Sequence, residues 1–168
     1  MSLSMYTCSI PVFVRSLNNL SAILAKAATY ATDREIAETV LITARLFPNM
    51  FPLSRQVQIA CDVVKGAGAR ISGIEAPKYE DNEATFDELQ TRIANTIKFL
   101  ESIPQDKIDG TEAKEIVLQA GSVELKFAGE DYLNKWALPN LYFHVTTTYN
   151  ILRHNGLEIG KMDFLGAP

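Results

Sequence analysis

The stretch PLSRQVQIACDVVKGAGARI, residues 52–71, decides the fold. Leu53, Val57, Ala60, Val64, Ala67 and Ile71 recur at steps of four, three, four, three and four, which is the period of one face of an α-helix. A helix with a single apolar stripe has to bury it against another element, so the question becomes what supplies the partners.

Three other stretches answer it. Upstream, Phe13, Leu17, Leu20, Leu24 and Ala28 draw a similar stripe, with Pro11 in the first turn or at a kink. Downstream, Thr85-Phe86-Asp87-Glu88 reads as a capping box, and Phe86, Leu89, Ile93, Ile97, Leu100 and Ile103 follow it until Pro104 stops the helix. The last helix is expected from about Gly129 to Asn155, kinked at Pro139 and closed by Gly156 in the left-handed conformation. A further capping box, Thr32-Asp33-Arg34-Glu35, predicts a short helix reaching about Val40, and the segment 73–83 reads as a surface crossing. Between the third and fourth long helices, Glu115–Gln119 and Val123–Phe127 flank Ala120-Gly121-Ser122 in the pattern of a β-hairpin. Four stripes meeting in one core give an all-α four-helix bundle with one small hairpin, expected as a single domain over residues 1–168.

Composition narrows the function. With 16 Lys+Arg against 20 Asp+Glu, the net charge of −4 leaves no excess of cations for a phosphate backbone, so nucleic acid is not an expected partner. No apolar run reaches the roughly 18–20 residues that cross a bilayer, and the first residues lack the layout of a secretory leader. Two cysteines, Cys8 and Cys61, cannot build a disulfide framework; a reduced, cytoplasmic protein is the expectation. Gly66 and Gly68 form a GxG with no strand before it, which points to close helix packing and not to a phosphate loop.

The chemistry-bearing residues gather on two helices. Asn140 and His144, four apart on the last helix, interrupt its apolar stripe and stack about 6 Å from each other. Such a pair can hold a water, a small molecule or a metal, or serve as a general base; a hydrogen-bonded core histidine is the competing reading. On the second long helix, Gln58 and Asp62 flank the stripe four apart and would face the same cavity if the helices are neighbours, with solvated surface as the alternative. His154, ten residues beyond His144, turns away and fits a helix C-terminus.

At His144-Val-Thr-Thr-Thr-Tyr-Asn-Ile-Leu-Arg153-His-Asn-Gly156 the chain resembles the last helix of the DinB/YfiT-like superfamily, in which a histidine is followed by a Leu-Arg pair and a glycine. From MSLSMYTCSIPVF through FPLSRQVQIACD and LPNLYFHVTTTYNILRHNG to DFLG, it resembles the DUF1993 branch of that superfamily, small bacterial proteins with no assigned function. The resemblance implies a DinB-like four-helix bundle, a homodimer, and a zinc or nickel site built from three histidines in members that bind metal. In such members one histidine lies on the second helix and two, four apart, on the last. His144 matches the second of the pair, Asn140 stands at the first, and Gln58 lies about where the second-helix histidine is expected. Carboxamide oxygens are poor ligands for zinc or nickel, so a degenerate metal site around His144 is expected. The leading functional expectation is a small-molecule-binding or structural bundle with a pocket of His144, Asn140, Gln58 and Asp62. The alternative is a metal-dependent enzyme resembling the superfamily's thiol transferases and isomerases.

Overall fold

Gly68 shows how closely the helices pack. A methyl group added to it would sit 2.8 Å from Ile103 Cδ1 and 3.0 Å from Leu100 Cδ2, so the expected close-packing glycine is real. Gly66 differs, since an added methyl there meets the Arg70 side chain. Gly68→Ala should overpack this contact by more than the helix propensity it gains, for a net loss of about 1 kcal/mol in urea unfolding.

The computed structural model describes residues 3–167. The elements run α1 (Ile10–Asp33), α2 (Glu38–Ile42), α3 (Leu53–Ser72), α4 (Phe86–Glu101), β1 (Glu115–Ala120), β2 (Val123–Ala128), α5 (Gly129–Tyr132), a π-helical turn (Leu133–Ala137), α6 (Leu138–His154) and α7 (Lys161–Leu165). The protein is therefore mostly helical with one antiparallel hairpin. Helix α3 packs against α6 and α4, and α1 packs against α4, α6 and α7. Phe13, Leu17, Val57, Val64, Leu89, Leu141 and Ile151 meet in the shared core. Among the described residues, no helix is long and apolar enough to cross a membrane.

Most boundaries follow local chemistry. Pro11 occupies the first turn of α1, and the Thr85 capping box forms, with Glu88 N–H donating to Thr85 Oγ1 and Glu88 Oε2 accepting from Thr85 N–H. In the hairpin Ala120 pairs with Val123 across a two-residue turn, whose first corner is Gly121 at φ 63°. Phe127 leans on Tyr132 and Trp136, each ring 6.0 Å away. The break before α6 takes the form of the π-turn: Leu138 N–H bonds back to Leu133 O, five residues away, and Pro139 follows immediately. Gly156 closes the helix at φ 96°.

Two expectations are corrected. Thr32 and Glu35 form no capping box, because α1 continues to Asp33 and Thr32 Oγ1 donates to Ala28 O within it; the short helix starts at Glu38. On α1, Ala27 is fully buried and Ala28 only half-buried.

Candidate functional site

His144 is 8% exposed and lies on the seam between α6 and α3, where its Nδ1 stands 2.7 Å from Gln56 Oε1. The proton on this bond can be placed. Gln56 Nε2 donates to Phe51 O at 3.1 Å, and a carbonyl can only accept, so the amide turns its oxygen toward the imidazole. Nδ1 therefore carries the hydrogen and donates it, leaving Nε2 as a lone-pair acceptor. Arg92 Nε is the sole sealed side-chain polar atom without a partner among the described residues, so the unpaired Nε2 of His144 reaches solvent. Phe143 stands edge-on to the imidazole at 5.2 Å. Thr148 Oγ1 donates to His144 O and so adds no competitor for the ring.

Burial pulls the His144 pKa below its ordinary 6.5, and the positive charge of Arg55 pushes it the same way. The unfolded chain thus takes up this proton at a higher pH than the folded one. Stability from His144 is fully present above pH 6.5 and declines as acid carries the protein from there toward the depressed folded value. His144→Gln should flatten the fall in unfolding free energy between pH 7 and 5; equal slopes in the two proteins would contradict this.

Gln58 and Asp62 belong to a second cluster. Gln58 Nε2 donates to Glu83 Oε2 at 2.8 Å, and its Oε1 accepts from Arg55 at 3.1 Å. Asp62 accepts from Arg92 Nη2 and pairs with Lys65, both at 2.9 Å. Arg92, only 3% exposed, is the hub: Nη1 donates to Glu83 and to Glu80 O, while Nη2 also reaches Asp81 at 2.9 Å. The Tyr79 ring lies 4.1 Å from the Lys65 ammonium and 5.3 Å from the Arg92 guanidinium. The surface crossing between α3 and α4 is in this way fastened to both helices by charge. Arg55, bonded to Gln58 and Asp81, is the electrostatic link to His144; no hydrogen bond joins the two clusters among the described residues.

Asn140 joins neither group, because its Nδ2 donates to Trp136 O, one turn back in its own helical segment. His154 ends α6, in the last turn. Burial pushes the Cys61 thiol up to about 12, against weaker lowering by Thr96 and Arg92, which leaves it a packed residue and no nucleophile. Gln56, Arg92 and Glu83 are the residues of the candidate site absent from the sequence expectations. A signal for two of them existed: Leu53-Gln56-Ala60 and Leu89-Arg92-Thr96 each step three and four, which puts the polar residue inside the apolar stripe.

These donors do not fit a zinc or nickel ion. The one imidazole on the seam uses Nδ1 for Gln56, while Gln58 and Asn140 are engaged elsewhere. Among the described residues no three His, Cys, Asp or Glu side chains cluster in a way that could hold a metal.

No curated protein matches the chain. The solved structure of a DinB family member protein from Shewanella denitrificans is 40% identical, with a TM-score of 0.87 over 97% of this chain and 92% of that one. The family model for a domain of unknown function, DUF1993, matches residues 5–165. With nearly its full length matched, the chain belongs to the DUF1993 family and is DinB-like.

Proposed function

We propose that this protein is a binding bundle: a DinB-like four-helix bundle, one domain over residues 1–168, that offers His144 Nε2 as a hydrogen-bond acceptor to a small polar molecule. The observation that carries the reading is the Phe51–Gln56–His144 chain of hydrogen bonds, which fixes the tautomer of a largely buried imidazole and leaves its Nε2 without a hydrogen-bond partner among the described residues. A histidine serving packing alone has no need of an oriented, solvent-facing acceptor. Phe143, edge-on to the imidazole, and Phe51, whose carbonyl holds Gln56, are 56% and 54% exposed, and these open aromatic surfaces support self-association as a homodimer over this seam. The free cysteines agree with a cytoplasmic setting. A thiol-transferase reading draws no support from these donors, which lack the ligands for its metal.

The test is long-range ¹⁵N NMR of the imidazole, followed by a fragment screen read on the same resonances. The expected spectrum has Nδ1 protonated and Nε2 bare at pH 7, with Nε2 moving when a donor-bearing fragment binds. The opposite tautomer, or no fragment that shifts Nε2, rejects the proposal. Sedimentation showing only monomer at micromolar concentration rejects the homodimer separately.

A further inference from the structure

A hollow of about 300 Å³ lies where α1, α6 and α7 meet, on a part of α6 that does not include His144. Its walls are largely apolar, from Val12, Tyr142, Val145 and Phe164, and Arg15 and Asn19 stand among them as the polar groups that hold α7. Among the described residues its lining includes no acidic side chain. The helix over it is loosely built: none of the residues of α7 is fully buried, and α7 is fastened to α1 by polar contacts. These run from Arg15 to Leu165 O and Ala167 O, from Asn19 to Phe164 O, and from Lys26 to Asp163. Both Arg15 bonds use Nη2, so oxygen acceptors already sit at one edge of the guanidinium; Nε and Nη1 make no hydrogen bond among the described residues.

We infer that this hollow is a binding site for a small alkyl or aryl monocarboxylate, its apolar body beneath α7 and its carboxylate on Arg15. The volume suits a ligand at the small end of those that occupy protein pockets. An apolar cavity with one guanidinium at its edge and no carboxylate among its described lining residues is complementary to an apolar anion, since a planar fork receives a carboxylate through two parallel bonds. The neighbouring hollow on the other side of Arg15 is larger, about 440 Å³, but is lined also by Glu101, whose charge disfavours an anion there. Because Arg15 and Asn19 both line the hollow and hold α7, filling it should tighten α7 against α1.

Octanoate, octan-1-ol and octylammonium, titrated separately by calorimetry into the intact protein, are the probes. Octanoate should bind, octan-1-ol more weakly, and octylammonium not at all. Arg15→Gln should weaken octanoate by about tenfold or more, the loss of one charge-assisted pair. Ser16→Phe, which fills the hollow from the half-buried side of α1, should abolish binding while circular dichroism and the unfolding midpoint stay near those of the parent. Hydrogen exchange of residues 161–165 should slow with octanoate bound. No octanoate binding overturns the assignment. So does equal affinity for octan-1-ol, or octanoate binding that neither substitution changes.

Discussion

Arg92→Ala should cost about 3–5 kcal/mol in urea unfolding, the range for removing one partner from a buried ion pair, against the 0–1 kcal/mol of an exposed pair. The size follows from where the carboxylates are left. Asp62 keeps Lys65 and Asp81 keeps Arg55, and both are more than a third exposed, so water can take up much of their loss. Glu83 is only 9% exposed and retains just the Gln58 amide, which makes it the uncompensated charge. Arg92→Lys restores a charge without the fork that reaches Glu83, Asp81 and Asp62 together, and should recover only part of the loss. A loss below about 1 kcal/mol would place Arg92 among ordinary surface bridges.

The same substitution carries a signature in acid. Burial raises the Asp81 pKa, but bonding to Arg55 and the charges of Arg55 and Arg92 outweigh it and hold the carboxyl below its ordinary 3.8. A carboxylate depressed in the folded state stabilises above its unfolded value, and that contribution is lost as pH falls through the folded one. Without Arg92 the depression shrinks, so stability should fall less steeply below about pH 4 in Arg92→Ala than in the parent, measured by midpoints across that range. Amides of residues 74–84 should also exchange faster, since the crossing loses its hub.

The helices were legible because their stripes have a period that only a helix satisfies, and the ends were legible where one side chain decides them, as at Thr85, Gly121 and Gly156. Thr32 failed for a physical reason. Its hydroxyl finds a carbonyl four residues back, Ala28 O, so the helix continues through a position whose sequence resembles a start. The site was legible only as residue types. His144 was identifiable as a polar interruption of a core face, yet its partner is Gln56, two residues before the expected Gln58, and the only local mark of the difference is that Gln56 steps with Leu53 and Ala60 inside the apolar stripe. The choice belongs to the segments on either side of α3: Glu83, in the crossing after it, draws Gln58 away, and the Phe51 carbonyl, just before it, fixes Gln56. Asn140 is similar, because its Nδ2 finds a local acceptor, the Trp136 carbonyl one turn back, and donates to it instead of reaching the seam.

Gln56→Leu is the substitution on which the reading of His144 depends most. Leucine keeps about the volume but offers the imidazole no acceptor and the Phe51 carbonyl no donor. Leaving the buried Nδ1–H unpaired costs about 1–3 kcal/mol, and the Phe51 carbonyl, on a residue 54% exposed overall, adds less. The ring has an escape: moving the hydrogen to Nε2 lets that nitrogen donate to solvent and leaves Nδ1 bare, which reverses the face offered to a ligand. Gln56→Leu should therefore lose stability within that range and switch the ¹⁵N pattern to the Nε2–H tautomer. Gln56→Glu gives the opposite case, since a carboxylate on Nδ1–H favours the imidazolium and should raise the His144 pKa above that of the parent. Stability should then fall less steeply on acidification through pH 7 to 5 than in the parent, and rise over that range once the folded pKa exceeds the unfolded 6.5. A parent-like tautomer in Gln56→Leu, or an unmoved titration in Gln56→Glu, would show that Gln56 does not set the protonation of this ring, and the case for an oriented acceptor at the α3–α6 seam would go with it.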